Sequence, residues 1–585
     1  MKNTKRARRA AAFAAAVVMA ACAAVPMGSS FSASAEDTYK VTIDNTVSGY
    51  TYAAYKIFSG NLSGGVLSNI QWADADKATA ALDAAKKITI KVGEDVSSPF
   101  EGCTSAADVA KVLGDATTTK SELAEKFAAA MEPIFTTAAV TDDYTDGKYE
   151  LTLPTAGYYL IKNTVIPAAS ADKGTSYTKF ILEVSAENTK VTPKTDAPTL
   201  EKKIWHNDAV AEPTIGNTAP SGAGWGDVGD NQIGDTVYYY TRTSVPDMSK
   251  YDTYKYIIRD QMSEGLTFGS VTNVVYVPGT AGASPIDIKD KAQINAEDDK
   301  DSGDFVETFT VSFADLKDVL KTNADGGYIY TYYTATLNEK ALISNSTNDT
   351  QHNDNTAYLT YSNNPNHSGS GDNETGDTPK DTVYDWTLTF NGSKVDEKNA
   401  PLTGAGFTLY AGSGDSVSSK PIQLVAVTNL DNVKNVTSDT NTNYYRIATA
   451  DEIADSSVTK VTEMLQDGGK TKFMILGLDD AKSYTLKETT TPATYNTGDD
   501  IVINKLNTTY VTAGNEMTGL TADITNEGVA STGVENSVQI QNKKGSTLPS
   551  TGGIGTTMFY VGGGVLVAGA GVILITKKRA KKDAE

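Results

Sequence analysis

Short runs of apolar, aromatic and β-branched residues recur along most of this 585-residue chain, and clusters of Gly, Pro, Asn and Asp separate them. Several of these runs alternate apolar and polar residues. Alternation with a period of two places one face of a strand in a core and the other face in water. The pattern therefore predicts a mainly β protein.

The first predicted domain, residues 36–194, combines strands with helices. Helical spacing of apolar residues predicts helices at 74–87, 106–113 and 122–135, the last opened by Thr119-Lys120-Ser121-Glu122, the spacing of a capping box. Predicted strands lie at 39–43, 50–58, 149–153, 158–161 and 180–184. We expect a β domain with helical insertions.

Two further domains are predicted to consist almost only of strands, because long non-helical runs alternate with turn clusters. In residues 195–366 the predicted strands are 200–204, 236–244, 271–277, 305–313, 328–337 and 357–361. Residues 367–380, rich in Gly, Ser, Asp and Asn, are predicted to be a connector. In residues 381–547 the predicted strands are 387–390, 406–410, 472–476, 483–486 and 538–541. The expected architecture is a stalk of tandem immunoglobulin-like β-sandwiches.

Both ends of the chain differ from these domains. Residues 1–35 contain five cations, an apolar stretch at 10–25 and Ala33-Ser34-Ala35 before Glu36, which predicts a secretory signal peptide. Near the C-terminus, residues 558–576 are apolar and long enough to cross about 30 Å of hydrocarbon, and a basic tail follows at 577–582. The protein is therefore expected to be exported and then stopped in the membrane.

Charge and cysteine content narrow the classes of function. The formal net charge is −21, and it becomes more negative when the cations of the signal and the tail are removed. Such a surface repels nucleic acid and anionic membranes, so neither is an expected partner. Cys103 is the one cysteine left after removal of the signal, so no intramolecular disulfide can form.

No cofactor, metal or hydrolytic site is expected. The histidines, His206, His352 and His367, are scattered and form no recognisable ligand motif. The segment Asp415-Ser416-Val417-Ser418 departs from a DxSxS metal-adhesion pattern, because valine stands where that pattern has serine. No Ser/His/Asp order or paired-carboxylate frame supports hydrolysis. The sequence therefore predicts no enzyme.

A short motif precedes the C-terminal apolar stretch. Leu548-Pro549-Ser550-Thr551-Gly552, followed by the apolar stretch and basic tail, resembles the LPxTG cell-wall sorting signal of Gram-positive surface proteins. Leu548 suits an apolar pocket, Pro549 favours an extended backbone, and Gly552 leaves room for a cysteine nucleophile. The resemblance implies that residues 548–585 are a sorting signal, cut by sortase between Thr551 and Gly552 for attachment to peptidoglycan.

The last β domain resembles the collagen-adhesin-B-like domain of pilins. Lys394 lies on its first strand, Glu488 near its penultimate strand, and Asn542 at the end of its last strand, and the matching frame includes residues 404–410. The resemblance implies that Lys394 and Asn542 form an intramolecular isopeptide bond with Glu488 as catalyst. Burial would favour the neutral amine and neutral acid that this chemistry needs.

The middle domain begins with a strand that carries two adjacent lysines. Leu200, Lys202 and Ile204 share one face of this strand, which places Lys202 rather than Lys203 among core residues. Lys203 remains the alternative.

This middle domain resembles the collagen-adhesin-A-like domain of pilins. The resemblance implies a second isopeptide bond, from Lys202 to Asn355, with Asp235 as the catalyst. Asp230 could replace Asp235 as the acid, and Asn353 could replace Asn355 as the acceptor.

Between the first two domains, the segment Val191-Thr192-Pro193-Lys194-Thr195-Asp196 resembles the pilin motif of backbone pilins. The resemblance implies that Lys194 attacks the sortase-bound threonine of another subunit. Thr192 replaces the usual tyrosine, and Ser185 stands where an upstream tryptophan is expected. The alternative is an ordinary exposed linker lysine, and Lys190 is the next polymerisation residue to consider.

Taken together, the resemblances imply a major pilin, covalently attached to the cell wall as part of a surface fimbria that mediates adhesion. The implied partners are a class C pilin sortase, a housekeeping sortase, identical subunits, minor pilins, peptidoglycan, and a host or extracellular-matrix ligand. The alternative is a wall-anchored adhesin or minor pilin that never polymerises, which differs only in whether Lys194 is used.

Overall fold

The computed structural model describes residues 39–582 apart from internal gaps. The residues left out are 1–38, 46, 64–65, 93–94, 116–119, 139, 142, 168–174, 177–178, 185–187, 192–196, 207–211, 250, 297–305, 322–325, 346–348, 365–374, 434–435, 467, 512–515, 526–528, 532–535, 546–553 and 583–585. The predicted signal peptide, Lys194 and the pentapeptide at 548–552 therefore lie outside the described residues.

The first domain, D1, spans the described residues from 39 to 191 and combines two sheets with a helical layer. Its elements are β1 (Tyr39–Ile43), β2 (Thr51–Ser63), β3 (Val66–Trp72), α1 (Ala78–Lys86), β4 (Ile90–Val92), β5 (Asp95–Ser97), α2 (Ala106–Asp115), α3 (Lys120–Met131), β6 (Val140–Thr141), β7 (Asp143–Thr145), β8 (Lys148–Leu153), β9 (Gly157–Val165), β10 (Lys179–Val184) and β11 (Asn188–Val191). A short 3₁₀ turn at Ala75–Lys77 precedes α1. The three predicted helices are thus present.

D1 has two apolar cores. One contains residues of the sheets β11-β1-β8-β7 and β10-β9-β2-β3, including Tyr52, Tyr149 and Tyr159. The other contains residues of β2 and the three helices, where Phe58 and Phe127 stack. Because the helices contribute this second core, they form part of the folded domain.

The second domain, D2, spans the described residues from 197 to 386. Its elements are β12 (Leu200–Trp205), β13 (Trp225–Gly226), β14 (Val228–Asp230), β15 (Thr236–Ser244), β16 (Tyr256–Met262), β17 (Leu266–Pro278), β18 (Ile286–Asp287), β19 (Gln293–Asn295), β20 (Phe309–Phe313), α4 (Leu316–Leu320), β21 (Gly327–Leu337), β22 (Asn353–Ser362), β23 (Thr375–Asp377) and β24 (Asp381–Trp386). One sheet has the order β13-β12-β15-β21-β17-β18, and the other has β14-β24-β22-β16-β20-β19, with β23 on β22. Apolar side chains of both sheets form one core.

The third domain, D3, spans the described residues from 388 to 545. Its elements are β25 (Leu388–Asp396), β26 (Gly406–Ala411), β27 (Leu424–Val427), β28 (Thr442–Ile447), α5 (Ala450–Ala454), β29 (Glu463–Leu465), β30 (Lys472–Leu478), β31 (Tyr484–Thr490), β32 (Ile501–Tyr510), β33 (Met517–Thr525), β34 (Val529–Ser531) and β35 (Ser537–Asn542). Its sheets have the orders β27-β28-β30-β25-β35-β34 and β29-β26-β31-β32-β33. The first and last long strands, β25 and β35, are parallel neighbours.

The change from D2 to D3 falls at Thr387. The third domain was predicted to begin at residue 381. Strand β24 begins there, but it pairs with β22 and β14 within the second sheet of D2. The segment predicted as a connector at 367–380 contains β23, which also pairs with β22. We therefore place the boundary at Thr387 instead of at 380.

D2 and D3 are packed against each other. Residues of D3, including Met474 and Leu476, belong to the same apolar cluster as the core of D2. The backbone N–H of Ile233 donates to Gly477 O at 3.1 Å, and the Tyr484 hydroxyl donates to Gln232 Oε1 at 3.0 Å. The junction is therefore a packed interface with both apolar and polar contacts.

The mainly β fold class predicted from the sequence is confirmed, with immunoglobulin-like pairs of sheets in D2 and D3. Outside the β domains, α6 (Ile554–Lys582) forms a single long helix. The segment Met558–Lys581 is long enough to cross a membrane, and an 18-residue window within it has a mean hydropathy of 2.1. This helix coincides with the predicted stop-transfer segment.

Two buried lysine sites and a C-terminal anchor

The side chain of Lys202 crosses the core of D2 from one sheet to the other. Its strand, β12, alternates so that Lys202 and Ile204 are fully buried while Lys203 is half-buried. The Lys202 ammonium nitrogen Nζ contacts Asp260 Oδ2 on β16 and Asn355 Oδ1 on β22. The site therefore brings an amine, a carboxyl group and an amide together where each of the three residues has no exposed surface.

Burial sets the protonation of this site. Removal from water lowers the pKa of Lys202 to about 8, although the Asp260 carboxylate opposes this shift. The same burial raises the pKa of Asp260, opposed by Lys202. The rings of Tyr239 and Tyr333 lie 5.8 and 5.3 Å from Lys202 Nζ. The pocket thus favours the uncharged amine and the uncharged acid more than water does.

The structure does not bring Asp235 to Lys202. Asp235 lies just before β15, where it accepts a hydrogen bond from Gln232 N at 3.0 Å and contacts Lys482 Nζ of D3. Asp260 takes the place that the resemblance assigned to Asp235, because β16 directs it into the core. The carboxyl group that contacts Lys202 is therefore that of Asp260 and not that of Asp235.

Lys203, Asn353 and Asp230 lie in environments different from that of the Lys202 site. Lys203 Nζ pairs with Asp227 at 2.5 Å. The Asn353 side chain is hydrogen-bonded to the backbone of Leu342, with Oδ1 accepting from the N–H at 2.9 Å. Asp230 is engaged at the interface with D3, where it accepts from the backbone N–H of Asp480 at 3.1 Å. None of these three residues contacts Lys202 through a described hydrogen bond or ion pair.

D3 contains a second site of the same composition. Lys394 on β25 contacts Asn542 Oδ1 on β35, and its Nζ lies 3.4 Å from Glu488 Oε1 on β31. Asn542 Nδ2 donates to both carboxylate oxygens of Glu488, at 2.7 and 3.0 Å. All three residues predicted for D3 are therefore brought together.

The surroundings of the D3 site also disfavour charge on the lysine. Burial lowers the pKa of Lys394, opposed by Glu488. The Phe407 ring lies 5.9 Å from Lys394 Nζ, and Gly498 N donates to Glu488 Oε2 at 2.6 Å. An added Cβ at Gly498 would lie 3.2 Å from Asn542 Oδ1 and 3.4 Å from Glu488 Oε2. Glycine at 498 thus allows the backbone to approach the site closely.

Folding also gathers three residues that lie far apart in the sequence. Single ligand atoms of His206, Asp230 and Asp480 lie within 4.8 Å of one another. Several of their polar atoms are engaged with protein groups: His206 Nε2 is 2.7 Å from Asp230 Oδ2, and the Thr508 hydroxyl donates to Asp480 Oδ2. We interpret this group as a polar contact of the D2–D3 interface.

Of the residues considered for polymerisation, Lys190 lies within the described part of the chain. It is exposed on β11, the edge strand of a D1 sheet, and is aligned with Thr42 of β1.

Family models match three stretches of the chain. The model of the Gram-positive pilin backbone subunit 2, Cna-B-like domain, matches residues 233–365. The SpaA prealbumin-like fold domain matches residues 389–517, and the LPXTG cell wall anchor motif matches residues 540–583. The first description is Cna-B-like, which is not the collagen-adhesin-A-like type expected for D2. A search of curated proteins finds no significant match.

Several solved major pilins are similar in fold. SpaD from Corynebacterium diphtheriae is 17% identical, with 87% of this chain and 98% of that chain covered and a TM-score of 0.42. The T6 backbone pilin of Streptococcus pyogenes is 16% identical, with 88% and 100% covered and a TM-score of 0.45. SpaA from C. diphtheriae is 14% identical, with 87% and 100% covered and a TM-score of 0.39. Because these TM-scores are below 0.5, the assignment of family rests on the family models.

This chain contains mainly β domains, followed by an LPXTG anchor motif and an apolar helix. It is therefore a secreted surface protein that is attached to the cell wall after sortase processing. Within that class, the two pilin domains decide the family. The matched domains and the anchor support a backbone subunit of a Gram-positive pilus, which is a structural protein.

Proposed function

We propose that this backbone subunit strengthens itself with two intramolecular isopeptide bonds, Lys202 to Asn355 in D2 and Lys394 to Asn542 in D3. The observation that supports the proposal is that each lysine nitrogen contacts an asparagine side chain beside a buried carboxyl group. The D2 bond would join the two sheets, and the D3 bond would join the first and last strands of one sheet.

The proposed chemistry follows from the contacts of the two sites and from the lowered pKa values of Lys202 and Lys394. A neutral lysine amine is a nucleophile, whereas an ammonium is not. Lys202 or Lys394 would attack the side-chain carbonyl carbon of the asparagine, and ammonia would leave. Asp260 in D2 and Glu488 in D3 would act as the acids that assist the carbonyl and move the protons. Each bond forms once, so the protein modifies itself without turning over a substrate.

The mature chain, residues 36–551, tests both bonds through its intact mass. Each bond should lower the mass by about 17 Da, the mass of one ammonia. Asp260→Ala should restore one increment and Glu488→Ala should restore the other, because each acid serves one site. A wild-type mass equal to the sequence mass would refute both bonds.

Asp235→Ala is the matched control for the assignment of the acid in D2. Asp235 contacts Lys482 and not Lys202, so its removal should leave both mass deficits unchanged. Loss of one deficit in this variant, with Asp260→Ala still cross-linked, would return the role to Asp235.

We also propose how the subunit is assembled. A class C pilin sortase would cleave after Thr551 and transfer the threonine carbonyl to Lys194 of an identical subunit, and a housekeeping sortase would attach the finished fibre to peptidoglycan. The pilin-like segment around Lys194 and the anchor match support this proposal. Minor pilins and a host or extracellular-matrix ligand would complete the set of partners, and adhesion would be carried out by the fibre.

A further inference from the structure

The D2 site contains a fourth polar group between the acid and the amide. The Tyr333 hydroxyl on β21 donates to Asp260 Oδ2 at 2.8 Å, and Asn355 Nδ2 donates to the Tyr333 oxygen at 3.3 Å. No hydrogen bond within the described residues joins Asn355 Nδ2 to Asp260 directly. Tyr333 is fully buried, so bulk water does not surround its hydroxyl.

The D3 site has no such intermediate group among its described residues. There the nitrogen that would leave, Asn542 Nδ2, donates to Glu488 Oε1 at 2.7 Å and to Oε2 at 3.0 Å. The aromatic ring beside Lys394 belongs to Phe407, which has no hydroxyl. Glutamate is longer than aspartate by one methylene group. The acid therefore reaches the leaving nitrogen in D3, whereas in D2 a tyrosine hydroxyl lies between the two groups.

We propose that Tyr333 is a catalytic residue that relays a proton from Asp260 to the departing nitrogen of Asn355. The role rests on the Lys202–Asn355 bond proposed above. Each transfer would pass between two atoms that already lie within hydrogen-bond distance, as general acid catalysis requires. Both hydrogen bonds must first reverse their direction: protonated Asp260 then donates to the Tyr333 oxygen, and the Tyr333 hydroxyl donates to Asn355 Nδ2, which becomes an acceptor once the tetrahedral intermediate gives it a free lone pair.

The relay balances protons and bonds. Neutral Lys202 Nζ forms a bond to Asn355 Cγ while the carbonyl π pair moves to Oδ1, which gives a tetrahedral intermediate with an oxyanion and two protons on Nζ. Tyr333 gives its hydroxyl proton to Asn355 Nδ2, and Asp260 gives its carboxyl proton to the Tyr333 oxygen. The pair on Oδ1 re-forms the carbonyl as the Cγ–Nδ2 bond breaks and releases ammonia. Asp260 then takes one proton from Nζ, so the acid and the phenol return to their starting states.

The test follows cross-linking of the mature chain after cell-free synthesis. Samples are denatured at successive times, digested, and analysed by mass spectrometry for the Lys202–Asn355 and Lys394–Asn542 peptides. Tyr333→Phe should slow the D2 bond by about 10²-fold or more, since loss of a general acid typically costs 10² to 10⁴ in rate. The D3 bond in the same molecules should form at the wild-type rate, which shows that D3 has folded.

Tyr239→Phe is the matched control. The Tyr239 ring stacks on that of Tyr333 with centroids 5.4 Å apart. Its hydroxyl lies near Asn355 but makes no hydrogen bond of normal geometry to a described residue. Its removal should leave the D2 rate unchanged. Wild-type D2 kinetics in Tyr333→Phe, or equal slowing in both variants, would overturn the relay but leave the bond standing. Absence of the D2 bond from the wild type would overturn both proposals.

Discussion

At the scale of single residues, burial determines which ionisable groups carry charge. Asp385 on β24 is an example outside the lysine sites. It has no exposed surface, and Asn231 Nδ2 donates to its Oδ1 at 2.8 Å. Burial raises the pKa of Asp385 to about 8, and the Asn231 hydrogen bond opposes this only in part. The folded domain therefore holds this proton more tightly than the unfolded chain does.

The resulting pH dependence has a definite sign. The pKa of Asp385 in the fold is above its ordinary value of 3.8, so the stability it contributes is complete below about pH 4 and is lost as pH rises through about 8. Asp385→Asn cannot ionise and keeps the shape of the side chain. Relative to this variant, the wild type should melt progressively lower between about pH 4.5 and 8.5, as measured by calorimetry.

The exposed carboxylate of Asp252 provides the control for this measurement. Asp252→Asn removes a carboxyl group that is exposed to water and so controls for the loss of one charge. A constant difference in melting temperature between Asp385→Asn and wild type across the whole range would contradict the prediction.

The residues of the D2 site show what the sequence could and could not reveal. Alternation in β12 was sufficient to select Lys202 over Lys203, because side-chain direction follows from local periodicity. Asp260 was missed although it occupies an inward position of an alternating strand, as Tyr256 and Ile258 do. The signal was an acidic residue at an apolar position. Which acid meets Lys202 depends on the contact between the two sheets, and local sequence does not determine that.

At the scale of elements, the pairing of β25 with β35 is the feature that the D3 bond would fix. These strands are parallel, and Asp396 is aligned with Asn542. Because these first and last strands are neighbours, a bond from Lys394 to Asn542 would close nearly the whole domain into one covalent ring. The two residues are 148 positions apart in the sequence. A covalent link across a ring of this size is worth about 5 kcal/mol in the chain-entropy model.

Asn542→Ala should therefore lower the melting temperature of D3 and speed its proteolysis. Lys394→Ala should do the same, and the double variant should lose little more cross-link stability than either single one, because one bond is lost in all three. Calorimetry and limited proteolysis of the mature chain measure these effects. Unchanged resistance in both single variants would contradict a stabilising cross-link in D3.

Prediction of elements succeeded where the pattern was long or strongly periodic. The predicted strand at 236–244 coincides with β15, and all three D1 helices are present. Strand β16 was missed because Arg259-Asp260-Gln261 makes its centre polar in sequence. The hairpin of β32 and β33 was also missed, because its side chains are mostly half-buried or exposed and show no clear alternation. Part of its packing is against D2, where the Tyr510 ring contacts that of Trp386.

At the scale of the whole molecule, the two junctions between domains have different contacts. D2 and D3 share an apolar cluster. Between D1 and D2, the described contacts include a hydrogen bond from the Tyr361 hydroxyl to Thr175 O at 2.9 Å. The predicted polymerisation motif lies between D1 and D2, and the predicted sortase cleavage site follows D3. Along the sequence, the packed D2–D3 pair therefore lies between the two positions at which neighbouring subunits would be joined. Its two internal bonds would strengthen this part of each subunit.

Polymerisation itself should depend on the amine of Lys194. An unperturbed lysine has a pKa near 10.4, so this amine is mostly protonated at neutral pH and must lose its proton within the sortase complex. Arginine keeps the charge without providing a useful nucleophile. In cells with the cognate pilin sortase, Lys194→Arg should reach the wall as a monomer while the wild type forms a detergent-resistant ladder. Tandem mass spectrometry of the wild-type ladder should find Thr551 joined to the Lys194 ε-nitrogen.

The exposed edge-strand residue Lys190 provides the matched control, and Lys190→Arg should leave the ladder intact. A normal ladder from Lys194→Arg together with a lost ladder from Lys190→Arg would move the attacking amine to β11, and the absence of a ladder from the wild type would instead favour a wall-anchored adhesin or minor pilin that does not polymerise.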